Sequence, residues 1–185
     1  MIKDALQDAE MRMKGAVHSL EEDLAGIRTG RASPALVERL MIEYYGVPTP
    51  LLQLATIAAP EPQLLTIRPF DPSALNTIEK AIRASDLGLN PTNDGKLIRL
   101  VIPALTEERR QELVKIVHKR VEEAKVAVRN VRRDVLEDLR EFEKEKLLSE
   151  DEFYRGKEDL EKLTNRYIEQ VEQVGARKEQ DILEV

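Results

Sequence analysis

The sequence predicts an α+β protein in which both ends of the chain form an elongated three-helix bundle, with a smaller β/α/β domain inserted between them. Three observations predict it. All nine prolines lie between Gly30 and Leu105, and none occurs from Thr106 to Val185, so that stretch can run in very long uninterrupted helices. The middle block is neutral, with seven basic and seven acidic side chains, while the flanks carry the whole net charge of −6. Aromatic residues make up only 4% and charged residues 35%, a balance of long salt-bridged helices rather than an all-β sandwich. Residues 1–29 and 106–185 are therefore assigned to the bundle, and 30–105 to the inserted domain.

The helices follow from apolar periodicity. Ile2, Leu6, Ala9, Met13, Ala16, Leu20, Leu24 and Ile27 recur at steps of three and four. Val114, Val117, Val121, Ala124, Val128, Val131, Val135, Leu139 and Phe142 do the same. Both are narrow seams near the 3.5-residue period of coiled-coil-like packing. Thr106 before Glu107 and Glu108 is a helix start, with a capping hydroxyl and acids at the positive dipole end. A helix from there to about Leu147 is about 60 Å long at the α-helical rise. Ser149 with Glu152 forms a capping box that opens a third helix. Its seam is Phe153, Leu160, Leu163, Tyr167, Val171, Val174 and Ile182, with Gly156 at one seam position. Three seams in one chain can satisfy each other as a bundle.

The middle block predicts short strands at Leu36–Tyr45, Leu52–Ile57, Leu64–Arg68 and Leu97–Ile102. Gly46-Val47-Pro48-Thr49-Pro50 and Asn93-Asp94-Gly95 read as turns. Asp71-Pro72 opens a helix, with Asp as cap and Pro at the first helical position. That helix carries Leu75, Ile78, Ala81 and Ile82 inward and ends near Ser85. Only two crossings join the domains, near Gly30-Arg31 and near Pro103-Ala104-Leu105, and they predict a hinge.

Composition excludes several functions. Without cysteine there is no disulfide, thiol nucleophile or Cys-ligated metal. Gly95-Lys96 is followed by Leu97, where a phosphate-binding loop needs a hydroxyl. No nucleophile elbow or H-E-x-x-H pair occurs. His118 and Glu122 share a helix face but supply two ligands where an open zinc site needs three, so they read as an exposed polar face. The residues thus predict no enzyme, no metal and no cofactor. No apolar run is long enough to span a membrane, and Met1-Ile2-Lys3-Asp4 lacks a signal-peptide core. A soluble, cytoplasmic protein is expected.

The positive feature lies on the long second helix. Lys115, His118, Lys125, Arg129, Arg132, Arg133 and Arg140 fall within about a third of its circumference, joined there by Glu122. Arg129 and Arg132 have no acid three or four residues away, and Arg133 has only Glu137. Such arginines are free to bind phosphate, which their planar forks suit, or to pair across the bundle. With the rest of the molecule acidic, the stripe would orient the protein on RNA.

Several stretches closely resemble the bacterial ribosome recycling factor family. They are Arg28-Thr29-Gly30-Arg31-Ala32-Ser33-Pro34, Tyr44-Tyr45-Gly46 with Thr49-Pro50-Leu51, and Ile78-Glu79-Lys80-Ala81-Ile82. They continue through Ser85-Asp86-Leu87-Gly88-Leu89-Asn90-Pro91, Leu105-Thr106-Glu107-Glu108-Arg109-Arg110 and Arg129-Asn130-Val131-Arg132-Arg133-Asp134. The resemblance runs in order along essentially the whole chain.

It implies a near-L-shaped, monomeric two-domain molecule. It also implies binding to the post-termination ribosome across the tRNA sites. With elongation factor G and GTP hydrolysis, such factors split the ribosome into subunits. The implied large-subunit rRNA contacts fall on Arg132 above all, then Arg129, Arg110 and Arg28, with Arg133 besides. The implied hinge falls on Gly30, Arg31, Ala104 and Leu105. Two rival readings remain: a coiled-coil adaptor or chaperone-like protein whose seams bind other helices, and a hydrolase using unmarked carboxylates.

Overall fold

The computed structural model describes residues 1–184. Four helices run in chain order: α1 (Ile2–Ala25), α2 (Leu75–Ala84), α3 (Glu107–Lys144) and α4 (Glu150–Leu183). Six strands lie between α1 and α3: β1 (Met41–Tyr44), β2 (Val47–Pro50), β3 (Ala55–Glu61), β4 (Leu64–Pro69), β5 (Thr92–Asn93) and β6 (Ile98–Val101). The chain divides into two compact units. One comprises Met1–Leu24 and Gln111–Asp181, the other Ala25–Arg110 with the tail from Ile182. Residues 25–29 and 106–110 thus associate with the smaller unit.

The larger unit is built from α1, α3 and α4, and the three seams close on one another. Ala9, Met13, Val117, Val128, Val135, Leu139, Leu160 and Val171 are fully buried. Burying a side chain of the Val or Leu class stabilises by about 1.5–3 kcal/mol each. Val17 and Leu113 are buried where Ala16 and Val114 were expected, and those two are half-buried instead. A core-facing helical stripe is wider than a strict two-in-seven seam, so neighbouring positions share the burial.

The helix ends follow local chemistry. Arg109 N–H donates to Thr106 Oγ1 at 3.1 Å. Glu152 N–H donates to Ser149 Oγ at 3.1 Å, and Ser149 N–H donates back to Glu152 Oε2 at 2.9 Å. Between the two helices Lys146 takes a left-handed φ of +62°.

In the smaller unit β3-β4-β6-β5 form an antiparallel sheet, and β1 with β2 form a separate hairpin. Leu65 and Ile67 from β4 and Ile98 and Leu100 from β6 point to one face. There they share a core with Ile78 and Ile82 of α2, Ile42 of β1, and Leu51. Asp71 caps as expected, its Oδ1 accepting from Ser73 N–H at 3.0 Å. The first turn after it (Pro72–Ala74) is 3₁₀ rather than α.

Three expectations need correction. The strand expected at Leu52–Ile57 begins only at Ala55, as β3, because Leu51–Gln53 form a 3₁₀ turn that buries Leu51. Residues 36–40 are not strand: Pro34–Leu36 form a 3₁₀ turn, and β1 starts at Met41. Leu36 and Val37 are buried there, which explains a run that mimicked a strand. Likewise, Val47–Pro50 is not a turn but strand β2. The turn is Tyr45-Gly46, both at positive φ (50° and 77°), the geometry of a two-residue hairpin loop. Pro48 and Pro50 oppose Glu43 and Met41. Counted from the pair flanking a two-residue loop, these are the non-hydrogen-bonded positions, where a missing N–H costs no ladder bond.

Candidate nucleic-acid interface

The basic side chains of the predicted stripe on α3 divide into two rows. The inner row borders α4 and is matched by glutamates there. His118 Nε2 lies 3.0 Å from Glu179 Oε2, Lys125 Nζ 3.0 Å from Glu172 Oε1, and Arg132 Nη1 3.4 Å from Glu161 Oε1. This is the flank-to-flank pairing of a coiled coil. Lys125 is the most tightly held, with Glu122 a second partner at 3.4 Å. The hydrogen bond to Glu172 raises its pKa, against the opposing effect of burial.

The outer row consists of Lys115, Arg129, Arg133 and Arg140, turned further from α4 by the 100° helical step. All four are exposed and have no ion-pair partner among the described residues. The opposite flank of α3 carries Glu123, Asp134, Asp138 and Glu141 and borders α1, where Arg12 donates to Asp134 Oδ2 at 2.8 Å. Charge is therefore unevenly divided on the two sides of one helix, mainly cationic toward α4 despite Glu122 and mainly anionic toward α1 despite Arg120.

The remaining expected contact residues sit differently. Arg28 is half-buried and donates from Nη2 to the carbonyl of Pro103 at 2.7 Å. Burial, and then repulsion from Arg109, lower its pKa. Arg110 is only 14% exposed, its Nη1 3.8 Å from Glu107 Oε2. The Nε atoms of both Arg28 and Arg110 are buried without a hydrogen-bond partner. These two arginines belong to the smaller unit by their contacts, whereas Arg129, Arg132 and Arg133 belong to the larger. Among the expected hinge residues, Arg31 Nη2 lies 3.2 Å from Glu184 Oε2.

The pairing across the bundle that the sequence leaves open for Arg132 is realised with Glu161, and the sequence also carries a signal for it. His118, Lys125 and Arg132 are spaced by heptads, and so are Glu172 and Glu179. That repeat marks interhelical rather than intrahelical pairs. His118 and Glu122, the nearest thing to a metal pair, each face other partners. Among the described residues no group of three potential metal ligands occurs, and no helix is long and apolar enough to cross a membrane. The seams of α1, α3 and α4 close on one another over most of their length, leaving an open cleft between α1 and α4 at Ile2, Leu6 and Leu163.

Comparison with known proteins agrees with this architecture. Residues 20–183 match the family profile described as ribosome recycling factor. The ribosome-recycling factor of Roseiflexus castenholzii is 56% identical over 185 residues, covering all of both chains. A solution structure of the ribosome recycling factor superposes with a TM-score of 0.79 at 47% identity, over 100% of this chain and 98% of the other. A second structure describes the T. thermophilus ribosome recycling factor and the E. coli elongation factor G bound to the E. coli post-termination complex. It matches with a TM-score of 0.70 at 46% identity over the whole of both chains. These likenesses define a translation factor that is not an enzyme. The chain belongs to the ribosome recycling factor family, and its work is ribosome recycling in protein biosynthesis.

Proposed function

We propose that this protein binds the post-termination ribosome across the tRNA sites of the large subunit. With elongation factor G and GTP hydrolysis it then splits the ribosome into subunits and frees it from messenger RNA. Family membership and the ribosome-bound relative support the reading. The observation that carries the RNA contact is the outer row on α3: Arg129 and Arg133, with Lys115 and Arg140, are exposed and unmatched by acid on a protein of net charge −6. Arg132 joins them by exchanging Glu161 for a phosphate, because an exposed ion pair is worth only about 0–1 kcal/mol. In this reading Arg28 and Arg110 also contribute contacts to rRNA.

In this reading the large-subunit rRNA is the direct partner and the protein acts as a cytoplasmic monomer. The smaller unit pivots at Gly30-Arg31 and Ala104-Leu105 when elongation factor G pushes. α3 is a single unbroken helix of about 57 Å at the α-helical rise, stiff enough to transmit that push to the bridges between subunits.

The test is sedimentation of purified post-termination ribosomes with this protein, elongation factor G and GTP. Subunit peaks should appear only when all three are present. Intact ribosomes under those conditions would overturn the proposal.

A further inference from the structure

The cross-helix ladder is regular for two rungs and then breaks. Moving from His118 to Lys125 advances one heptad along α3, and the partner moves back one heptad along α4, from Glu179 to Glu172. One more heptad brings Arg132 opposite Asn165, an amide that cannot neutralise it. Arg132 instead reaches one helical turn along α4 to Glu161, where the contact lengthens to 3.4 Å. Arg132 stays 36% exposed and has Glu161 as its one ion-pair partner among the described residues, against 16% for Lys125, which pairs with both Glu172 and Glu122. Glu161, Asn165, Glu172 and Glu179 all lie on the same flank of α4 at the helical angle.

We propose that Glu161 and Asn165 of α4 set the strength and reversibility of the hold that Arg132 has on an RNA phosphate. This inference rests on the proposed function above. Asn165 leaves the third rung open, so Arg132 is held in place without being consumed. Glu161 acts as a resident anion that yields to a phosphate, whose charge-assisted, two-pronged bonds with a guanidinium are stronger than an exposed ion pair. When the phosphate withdraws, Glu161 recaptures the side chain and speeds departure. A factor that acts repeatedly needs such an exchangeable grip. The Lys125 rung, mostly buried and paired with both Glu172 and Glu122, holds α3 and α4 in register so that the open one is presented reproducibly.

The experiment measures binding of the full-length protein to purified large ribosomal subunits across a salt series, for wild type, Glu161→Gln, Asn165→Glu, Arg132→Gln and the double variant Asn165→Glu/Arg132→Gln. Glu161→Gln should tighten binding and slow dissociation about two- to fivefold, the range set by exposed ion-pair strengths. Asn165→Glu should weaken binding by a similar factor and reduce the salt slope by about one phosphate contact, with the melting temperature little changed. In the Arg132→Gln background the Asn165 substitution should have no further effect. A further loss there would show that the added carboxylate merely repels RNA, and would overturn the proposal. If Arg132→Gln weakens binding but the Glu161 and Asn165 variants behave as wild type, this inference fails and the RNA-binding reading stands. If Arg132→Gln binds normally, Arg132 is not in the interface and both statements about it fall.

Discussion

Gly175 of α4 faces Val121 of α3 with no room for a β-carbon between them: a methyl group built on Gly175 would collide with Val121 Cγ2. The glycine lets the two backbones approach where a valine, stiff at χ1 in a helix, fills the gap. Gly156 is the milder counterpart, its added methyl meeting Leu139 Cδ1 at 3.4 Å and Ile2 Cγ2 at 3.5 Å.

Gly175→Ala should therefore destabilise the larger unit. The substitution gains about 1 kcal/mol of helix propensity, but overpacking a dense core costs about 1–3 kcal/mol, and Val121 has little freedom to move aside. Thermal melting should fall, and adding Val121→Ala should recover more stability than the two single changes predict. An alanine variant as stable as wild type would show that the helices can part at no cost.

The outer row of α3 gives a prediction independent of Arg132. Arg129→Gln and Arg133→Gln should each weaken binding to large ribosomal subunits and lower the salt slope by about one. Melting should stay near wild type, because neither guanidinium has an ion pair to lose among the described residues. Arg120→Gln is the control: Arg120 pairs with Glu123 at 3.2 Å on the other side of α3, and its loss should leave binding unchanged.

The smaller unit carries a pH-dependent lock. Tyr44 donates its hydroxyl to Asp71 Oδ2 at 2.8 Å, and this bond first, then burial and the carboxylate charge, push the Tyr44 pKa up to about 12. Hydrogen bonds from Ser73 and Tyr44 hold Asp71 below the usual carboxylate range. A raised tyrosine pKa stabilises fully below the unfolded value of about 10, and that contribution disappears as pH climbs to about 12. The lowered Asp71 pKa stabilises above the ordinary value of about 3.9, and its contribution disappears in acid. In urea unfolding, the gap between wild type and Tyr44→Phe should be flat through neutral pH and close over that alkaline window. The gap to Asp71→Asn should close on acidification. A Tyr44→Phe gap that persists at high alkalinity would show that the hydroxyl contributes no linkage.

The pivot is tested by restraint. A chemical cross-link joining the two units, chosen so that ribosome binding survives, should abolish subunit splitting by elongation factor G and GTP. Full splitting by the cross-linked protein would show that bending at Gly30-Arg31 and Ala104-Leu105 is not required.

Much of this protein is legible in one dimension. The proline-free stretch after Thr106, the apolar steps of three and four, and the Thr106 and Ser149 caps specify α3 and α4 through interactions a few residues apart. Asp71 before Pro72 does the same for the turn that leads into α2. The arginines at 129 and 133 are also visible as cations whose own helix offers little or no acid. What the chain order does not display is whatever depends on the register between elements distant in sequence. Pro48 and Pro50 look like strand breakers until pairing with β1 puts them where no N–H is needed. Gly175 looks unremarkable until Val121 is set against it. Arg132 looks unpaired until α4 brings Glu161 within 3.4 Å. Local hydrogen bonds and periodicity act within one element, whereas steric fit and charge pairing between helices exist only once packing has chosen which turns meet.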